Sequence, residues 1–498
     1  MSSRMRTTAL LATVCVFGTV PAFALTPADM PLRSQAASLR VQRLGDSVRH
    51  ARHTSAPILA AAAAPGGSAT VSSSVINLSK NIVGSGVLAL AAGVAAFSAS
   101  PLGVLPATVI LLTLGALSGY SFSLIARVGS EVGADTYRDT WAKVFGEGTS
   151  LLPALTVAFK TYVGGLSYSI ILGDSFASIA KLAGLPLALQ SSNVWIIVLS
   201  AIVLLPLSLM RDLSSLAIGS VIGTAGTLYT ALFIWLRKFD GSYAVGGKFH
   251  ELIAESARPA FAAPTLARPL INPSIFVLVS MLATAFLAHY NAPKYYKELA
   301  TPTDGSSKQV AFNKVCAGAF GAASLLCLAI MAGGFLTFGG ASQGLILNSY
   351  ATADPLALLA RLGICASIIF SYPLNFVGLR DGVLNMIGLS GSSGKASVHI
   401  TSTLVLLCIM NGLALKLKNL GLVVAVGGAA LGTSLVYTFP ALMFIQATRQ
   451  LSKRLEAKGE ALPASRRYEM FANMLLVLVG VSLGGLGVTM SLKSVGGH

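Results

Sequence analysis

The sequence predicts an all-α polytopic membrane protein of about eleven transmembrane helices. Three observations carry that reading. Of 498 residues, 54% are hydrophobic and only 11% are charged, where soluble domains carry about a quarter charged residues. Apolar runs of roughly 18 residues or more, long enough to cross a bilayer as helices, recur along the chain. Backbone groups in lipid must be satisfied internally, which leaves helices or closed barrels, and these runs are too long and evenly apolar for barrel strands.

The spans fall near 73–97, 103–126, 152–180, 193–210, 214–236, 273–293, 312–338, 355–377, 397–415, 419–445 and 470–492. The first carries Lys80 and the triplet Gly84-Ser85-Gly86 inside an otherwise apolar stretch. The second follows Pro101, which punctuates its start. The third holds Lys160 and Asp174, four helical turns or about 21 Å apart, so they cannot pair. The fourth has Pro206 near its end, and Arg211-Asp212 separates it from the fifth. The sixth runs from Pro273 to Pro293, and its inner half is polar, with Thr284, His289, Tyr290 and Asn291. The eighth opens on Pro355, and the tenth contains Pro440. The longest connection, 237–272, is rich in Pro, Ala and Gly and reads as a partly ordered excursion.

Basic residues set the orientation. With the N-terminus inside, the inner loops hold Arg127, Arg138, Lys143, Arg211, Lys294, Lys297, Lys308, Arg380, Lys395 and the run from Arg449 to Arg467, whereas 98–102, 182–192 and 339–354 hold none. Arg380-Asp381 reads as a solvated inner-loop pair. The net charge of +17 is therefore an orientation signal; no dense basic run interleaved with aromatics points to nucleic acid. Cys316, Cys327, Cys365 and Cys408 lie in or beside apolar helices without CxxC spacing and read as packing residues, while Cys15 lies in the leader.

The first seventy residues read as an address. Arg4 and Arg6, the run TTALLATVCVFG and Val20-Pro21-Ala22 describe a signal peptide over 1–22. From Phe23 to residue 70 there are five arginines, two aspartates and abundant Ser and Ala, which is transit-peptide composition. Such a bipartite leader implies a plastid envelope; a signal-anchor with a cytosolic tail would imply the plasma membrane or an endomembrane. Residues 71–498 form the membrane domain.

A lysine and a helix-weakening triplet in one apolar span are both costly. Transporters place substrates at the bilayer midplane between half-helices, where freed N–H groups hold an anionic group, and a second interrupted span in the other half of the chain marks the partner. If spans one to five and six to ten are repeats, that partner is the sixth, SMLATAFLAHYNAPKYYKEL.

The stretch SSSVINLSKNIVGSGVLAL resembles the first-helix signature of the amino acid/auxin permease family of the APC superfamily, to which the sodium-coupled system A and N neutral amino acid transporters belong. AFLAHYNAPKYYKEL resembles that family's sixth helix, GLVVAVGGAALGTSLVYTFPALMFI its tenth and VAFKTYVGGLSYSIILGD its third. The resemblance covers about 73–492 and implies a LeuT-type 5+5 inverted repeat plus one extra helix, carrying amino acids by alternating access. It departs from the family pattern in two places. Leu88-Ala89-Leu90-Ala91 lacks a proline common after the glycines, and Ala288 stands where many members have cysteine. Substrate preference is the property these changes put in doubt.

The expected carboxylate contacts are Gly84, Ser85 and Gly86; Thr284, Ala285 and Phe286 would offer carbonyls to the ammonium and one wall to the side chain. Asn81, Tyr168 and Ser371 are further candidates by their polarity within apolar spans. Sodium-coupled relatives tend to have Asn where Lys80 stands, and proton-coupled ones Lys. A resident ammonium would repel a sodium ion, so sodium-independent or proton-linked transport is expected. The bland alternative is an interfacial anchor that snorkels. His289 suits a proton relay, or equally a structural bond to a nearby carbonyl. No HExxH or paired intramembrane aspartates suggest an enzyme, and no cofactor or metal is expected. A sensor with a transporter fold and a sodium-coupled symporter remain the alternatives.

Overall fold

The computed structural model describes residues 67–210, 217–265, 270–303, 305–389, 395–417 and 419–496. The signal-peptide and most of the transit-peptide reading, and Arg211-Asp212, lie outside them. Among the described residues, nine helices are long and apolar enough to span a membrane, and a bent pair makes ten. The helix Ala217–Phe239 stands where the fifth span is expected.

The helices in chain order are α1 Val71–Ile82, α2 Leu90–Ala95, α3 Val104–Val132, α4 Tyr137–Phe145, α5 Leu151–Leu182, α6 Ser192–Leu209, α7 Ala217–Phe239, α8 Ile275–Ala285, α9 Ala292–Glu298, α10 Lys308–Phe338, α11 Pro355–Met386, α12 Ala396–Ala414, α13 Leu420–Glu456 and α14 Ala464–Gly496. Local chemistry sets their ends. Thr70, Thr136, Ser307, Asp354 and Asn419 accept backbone N–H groups at the starts of α1, α4, α10, α11 and α13. Gly133 and Gly339 end α3 and α10 with φ of 68° and 59°, a region that favours glycine. Wide π-helical turns precede Pro206 in α6 and Pro440 in α13, where the missing proline N–H breaks the regular ladder.

Two spans are discontinuous, and they are the first and the sixth. α1 and the segment Ser85–Ala95 are bent by 49° at a break. α8 stops at Ala285, and α9 resumes at Ala292 after a short 3₁₀ turn. The two halves of the chain interleave: α3 packs along α10, and α11 packs along both α5 and α7.

Three expectations change. The described part of the excursion after α7, residues 240–265, is a packed plug, with Tyr243 and Phe249 buried. Its Ala260 bridges Gly339, and Ala262 N–H donates to the Ala99 carbonyl at 3.2 Å. Arg380 is buried and donates to the Ser208 carbonyl at 3.0 Å and Thr403 at 3.1 Å, while Asp381 is exposed; it is a helix-to-helix strut. Residues 67–70, the end of the transit-like stretch, belong to the folded unit: Ala69 donates to the Glu298 carbonyl and accepts from Ala300, both at 2.9 Å. Cys316, Cys327 and Cys365 are free and buried, and Cys408 is free and exposed.

Candidate functional site

The site is built where the two breaks meet. Val83 and Gly84 leave helical geometry, and Gly84 N–H folds back on the Ile82 carbonyl at 2.9 Å. Ser85 and Gly86 therefore lead the next turn, Ser85–Ala89, with the N–H groups that a helix start leaves without intrahelical partners. Of the three expected carboxylate donors, Gly84 has its N–H occupied by the Ile82 carbonyl.

The glycines do different work. A Cβ on Gly86 would stand 3.4 Å from Ala285 Cα and 3.6 Å from Thr284 Cγ2, so Gly86 brings the first break against the second. A Cβ on Gly84 would meet nothing within 4 Å; Gly84 faces open space. Beyond the break, Val87 to Ala91 are buried, whereas Asn77, Asn81 and Gly84 are exposed on the α1 side.

On α8, Thr284 donates its hydroxyl to the Val424 carbonyl at 2.7 Å and its carbonyl receives Leu287 N–H at 3.3 Å. Gly428 allows that approach, since a Cβ there would lie 1.8 Å from the Ser280 carbonyl oxygen. Phe286 is not a wall of the open space. Its ring is fully buried behind the break, 6.4 Å from Phe320 and against Gly115. An aromatic ring gains most from packing where small residues leave room.

His289 is fully buried. Its Nε2 lies 3.0 Å from the Ser118 carbonyl and 2.9 Å from Ser121 Oγ, and Nδ1 has no partner among the described residues. A carbonyl only accepts, so Nε2 carries the proton. The ring is framed by Phe122 and Phe320. The ring thus makes the bond to a nearby carbonyl that is one of the two expectations for it.

Polar bridges join the inner halves of the broken spans. Asn291 Nδ2 donates to Asn81 Oδ1 at 3.4 Å, and the Tyr295 hydroxyl donates to the Asn77 carbonyl at 3.2 Å. Lys80 is half-buried on the same face of α1, with no hydrogen bond or ion pair among the described residues. Sequence reasoning left Lys160 without a partner. Its Nζ lies 3.2 Å from the Tyr290 hydroxyl and 4.8 Å from that ring's centroid, so α5 reaches into the second break. The signal was Tyr290 in the polar half of the sixth span. Asp174, as expected, does not pair with Lys160 and receives Asn348 at 3.0 Å.

Tyr168 stands two turns beyond Lys160 on α5, 6.3 Å from the Tyr372 ring and within electrostatic reach of Tyr290. Ser371 is half-buried on α11, two residues before the in-helix Pro373, and no hydrogen bond among the described residues joins it to the breaks. A separate groove of about 820 Å³ runs between α3, α10 and α14, past Arg127, Asn313 and Glu469. It is not the site at the breaks.

The model of the family described as "Transmembrane amino acid transporter protein" matches residues 67–491. The chain belongs to that family. It is an amino acid transporter and not an enzyme. This transporter is 26% identical over 427 residues to a Danio rerio protein called "Putative sodium-coupled neutral amino acid transporter 11", covering 85% of this chain and 88% of that one. A Rattus norvegicus protein of the same name is 24% identical over 388 residues, covering 77% and 80%. The solved structure of MhsT in complex with L-phenylalanine superposes with a TM-score of 0.52 at 11% identity, covering 83% of this chain and 98% of that one. The closed Mhp1, a nucleobase-cation-symport-1 family transporter, gives 0.50 at 13%, covering 88% and 95%. These likenesses show the fold alone: the transporter has the LeuT-type architecture that the order of its helices implies.

Proposed function

We propose that this transporter carries amino acids by alternating access, holding the substrate between its two breaks without sodium and with protons as the linked ion. The observation that carries the reading is the contact of Gly86 with Ala285 beside the open space at Gly84. Ser85 and Gly86 N–H groups hold the carboxylate, as a helix start favours anions. The carbonyls freed where α8 unwinds take the ammonium.

Closure of one side supports the alternating-access part. On the outer side, the plug, α7 and α11 meet at Asp354, which is fully buried. It accepts from Arg237 at 2.9 and 2.7 Å and from the Tyr243 hydroxyl at 2.9 Å. Burial, and then the Asp354 charge, raise the Tyr243 pKa, which keeps the phenol a donor. The exposed groups around the break lie on the α1 side, which fits a state closed outward.

Sodium independence rests on Lys80. It stands in the last turn of α1, just before the break at Val83 and Gly84, and its ammonium repels a cation that approaches there. The relatives' names favour a second reading, sodium-coupled symport of neutral amino acids. Uptake by purified protein in liposomes separates the two. Sodium-free uptake driven by a pH gradient supports the first; strict sodium dependence supports the second. We also propose that residues 1–70 direct the protein to a plastid envelope. A fluorescent fusion of that segment that labels the plasma membrane would refute this.

A further inference from the structure

Asn77, Lys80 and Asn81 recur at helical spacing and so share one face of α1, which ends at Ile82 just before Gly84. That face meets the second break, since Asn81 holds Asn291 and the Asn77 carbonyl holds Tyr295. On α5, Lys160 reaches Tyr290, the residue before Asn291. Lys160 thus touches the second break, and Lys80 stands on the α1 face whose asparagines touch it. Among the described residues, neither lysine has a carboxylate within ion-pair distance. The described carboxylates within ion-pair distance of a cation pair with other residues, among them Asp135 with Lys297, Glu298 with Lys294, Asp354 with Arg237 and Glu469 with Arg127. Among the described residues, Lys160 is held by a phenol oxygen and a ring face.

A charged lysine within a span is expensive and normally finds a partner. An α-amino acid with a neutral side chain brings one carboxylate and one ammonium. Its carboxylate is already matched by the Ser85 and Gly86 N–H groups, so its net charge offsets neither lysine. A second carboxylate would offset one.

We propose that the substrate is an anionic amino acid, whose side-chain carboxylate is held by Lys160 and balanced by Lys80. This rests on the reading of the two breaks as the substrate site, and it departs from the neutral substrates in the relatives' names. Tyr290 then acts as the resting partner that Lys160 leaves when substrate arrives.

L-Glutamate and L-glutamine have nearly the same shape and differ in this charge. The test is binding of each to the purified full-length protein, by thermal shift and by equilibrium dialysis of labelled ligand, with all twenty amino acids in parallel. Glutamate is expected to bind at least tenfold tighter than glutamine. Lys160→Met should shrink that ratio at least fivefold, while Lys160→Arg, which keeps the charge, should largely retain it. If Lys160→Met does not fold, Lys80→Met supplies the same comparison. Glutamine binding as tightly as glutamate in the unmodified protein overturns the proposal and leaves the site reading standing. So does a ratio unchanged in both Met variants. Binding of none of the twenty overturns the site reading itself.

Discussion

Gly86 lies against Ala285: a Cβ added to Gly86 would stand 3.4 Å from Ala285 Cα and 3.5 Å from its nitrogen. The two residues are separated by most of the first repeat, and each sits where its own span loses helical geometry. Their contact makes two local weaknesses into one site. Gly86→Ala should therefore fold and transport at a reduced rate, because its methyl meets the neighbour at ordinary contact distance. Gly86→Val should abolish uptake while the protein still melts cooperatively, since extra methyl groups in a packed site cost about 1–3 kcal/mol. Uptake in liposomes beside a thermal melt reads both. Normal transport by Gly86→Val would remove the break contact from the mechanism.

The tenth span clamps the second break. Thr284 donates to the Val424 carbonyl at 2.7 Å, and Gly428 leaves room for Ser280 one turn earlier. Gly428→Ala should displace α8 and lower both uptake and melting temperature, because its methyl would lie 1.8 Å from the Ser280 oxygen. Thr284→Val keeps the shape and loses the bond, a loss of about 0.5–1.5 kcal/mol. Melting curves should rank the two variants in that order.

Lys80→Asn removes the resident cation from α1. Uptake by the unmodified protein should be equal in sodium and in an impermeant organic cation, and the variant should acquire sodium stimulation. If the unmodified protein already requires sodium, Lys80 is an anchor and nothing more.

Arg237 and Asp354 close the outer side. Removing one partner of a buried pair strands the other, at a cost of roughly 3–5 kcal/mol. Asp354→Ala should lower the melting temperature by more than the double variant Asp354→Ala with Arg237→Met, measured by the same scan. Equal falls would show that the pair is solvated in the working protein.

Most of the helix order was readable because hydrophobic length is a local property. So were the breaks: the 84–86 triplet and the polar run after Thr284 stand out against apolar surroundings. Helix ends were less legible. α13 runs on to Glu456 through Arg449 and Lys453, and a hydropathy pattern stops at the membrane although the helix does not. The nine-residue α4 was hidden in a polar loop, and it appears only because Tyr137 and Trp141 are buried by neighbours distant in sequence. Side-chain direction was beyond reach. Lys160 and Tyr290 are 130 residues apart, and Phe286 turns its ring toward Gly115 because α3 and α10 leave space there. Arg380, placed in a loop by its charge, is buried because α6 and α12 supply acceptors around it.

The central claim is that a substrate held at the junction of the breaks is carried across the membrane. Counterflow tests it most directly. Liposomes containing the protein are loaded with an unlabelled amino acid that binds, and entry of the labelled form is followed in sodium-free buffer. Entry should be accelerated by the internal amino acid and abolished by Gly86→Val. Binding without entry, or entry that internal amino acid does not accelerate, would contradict it.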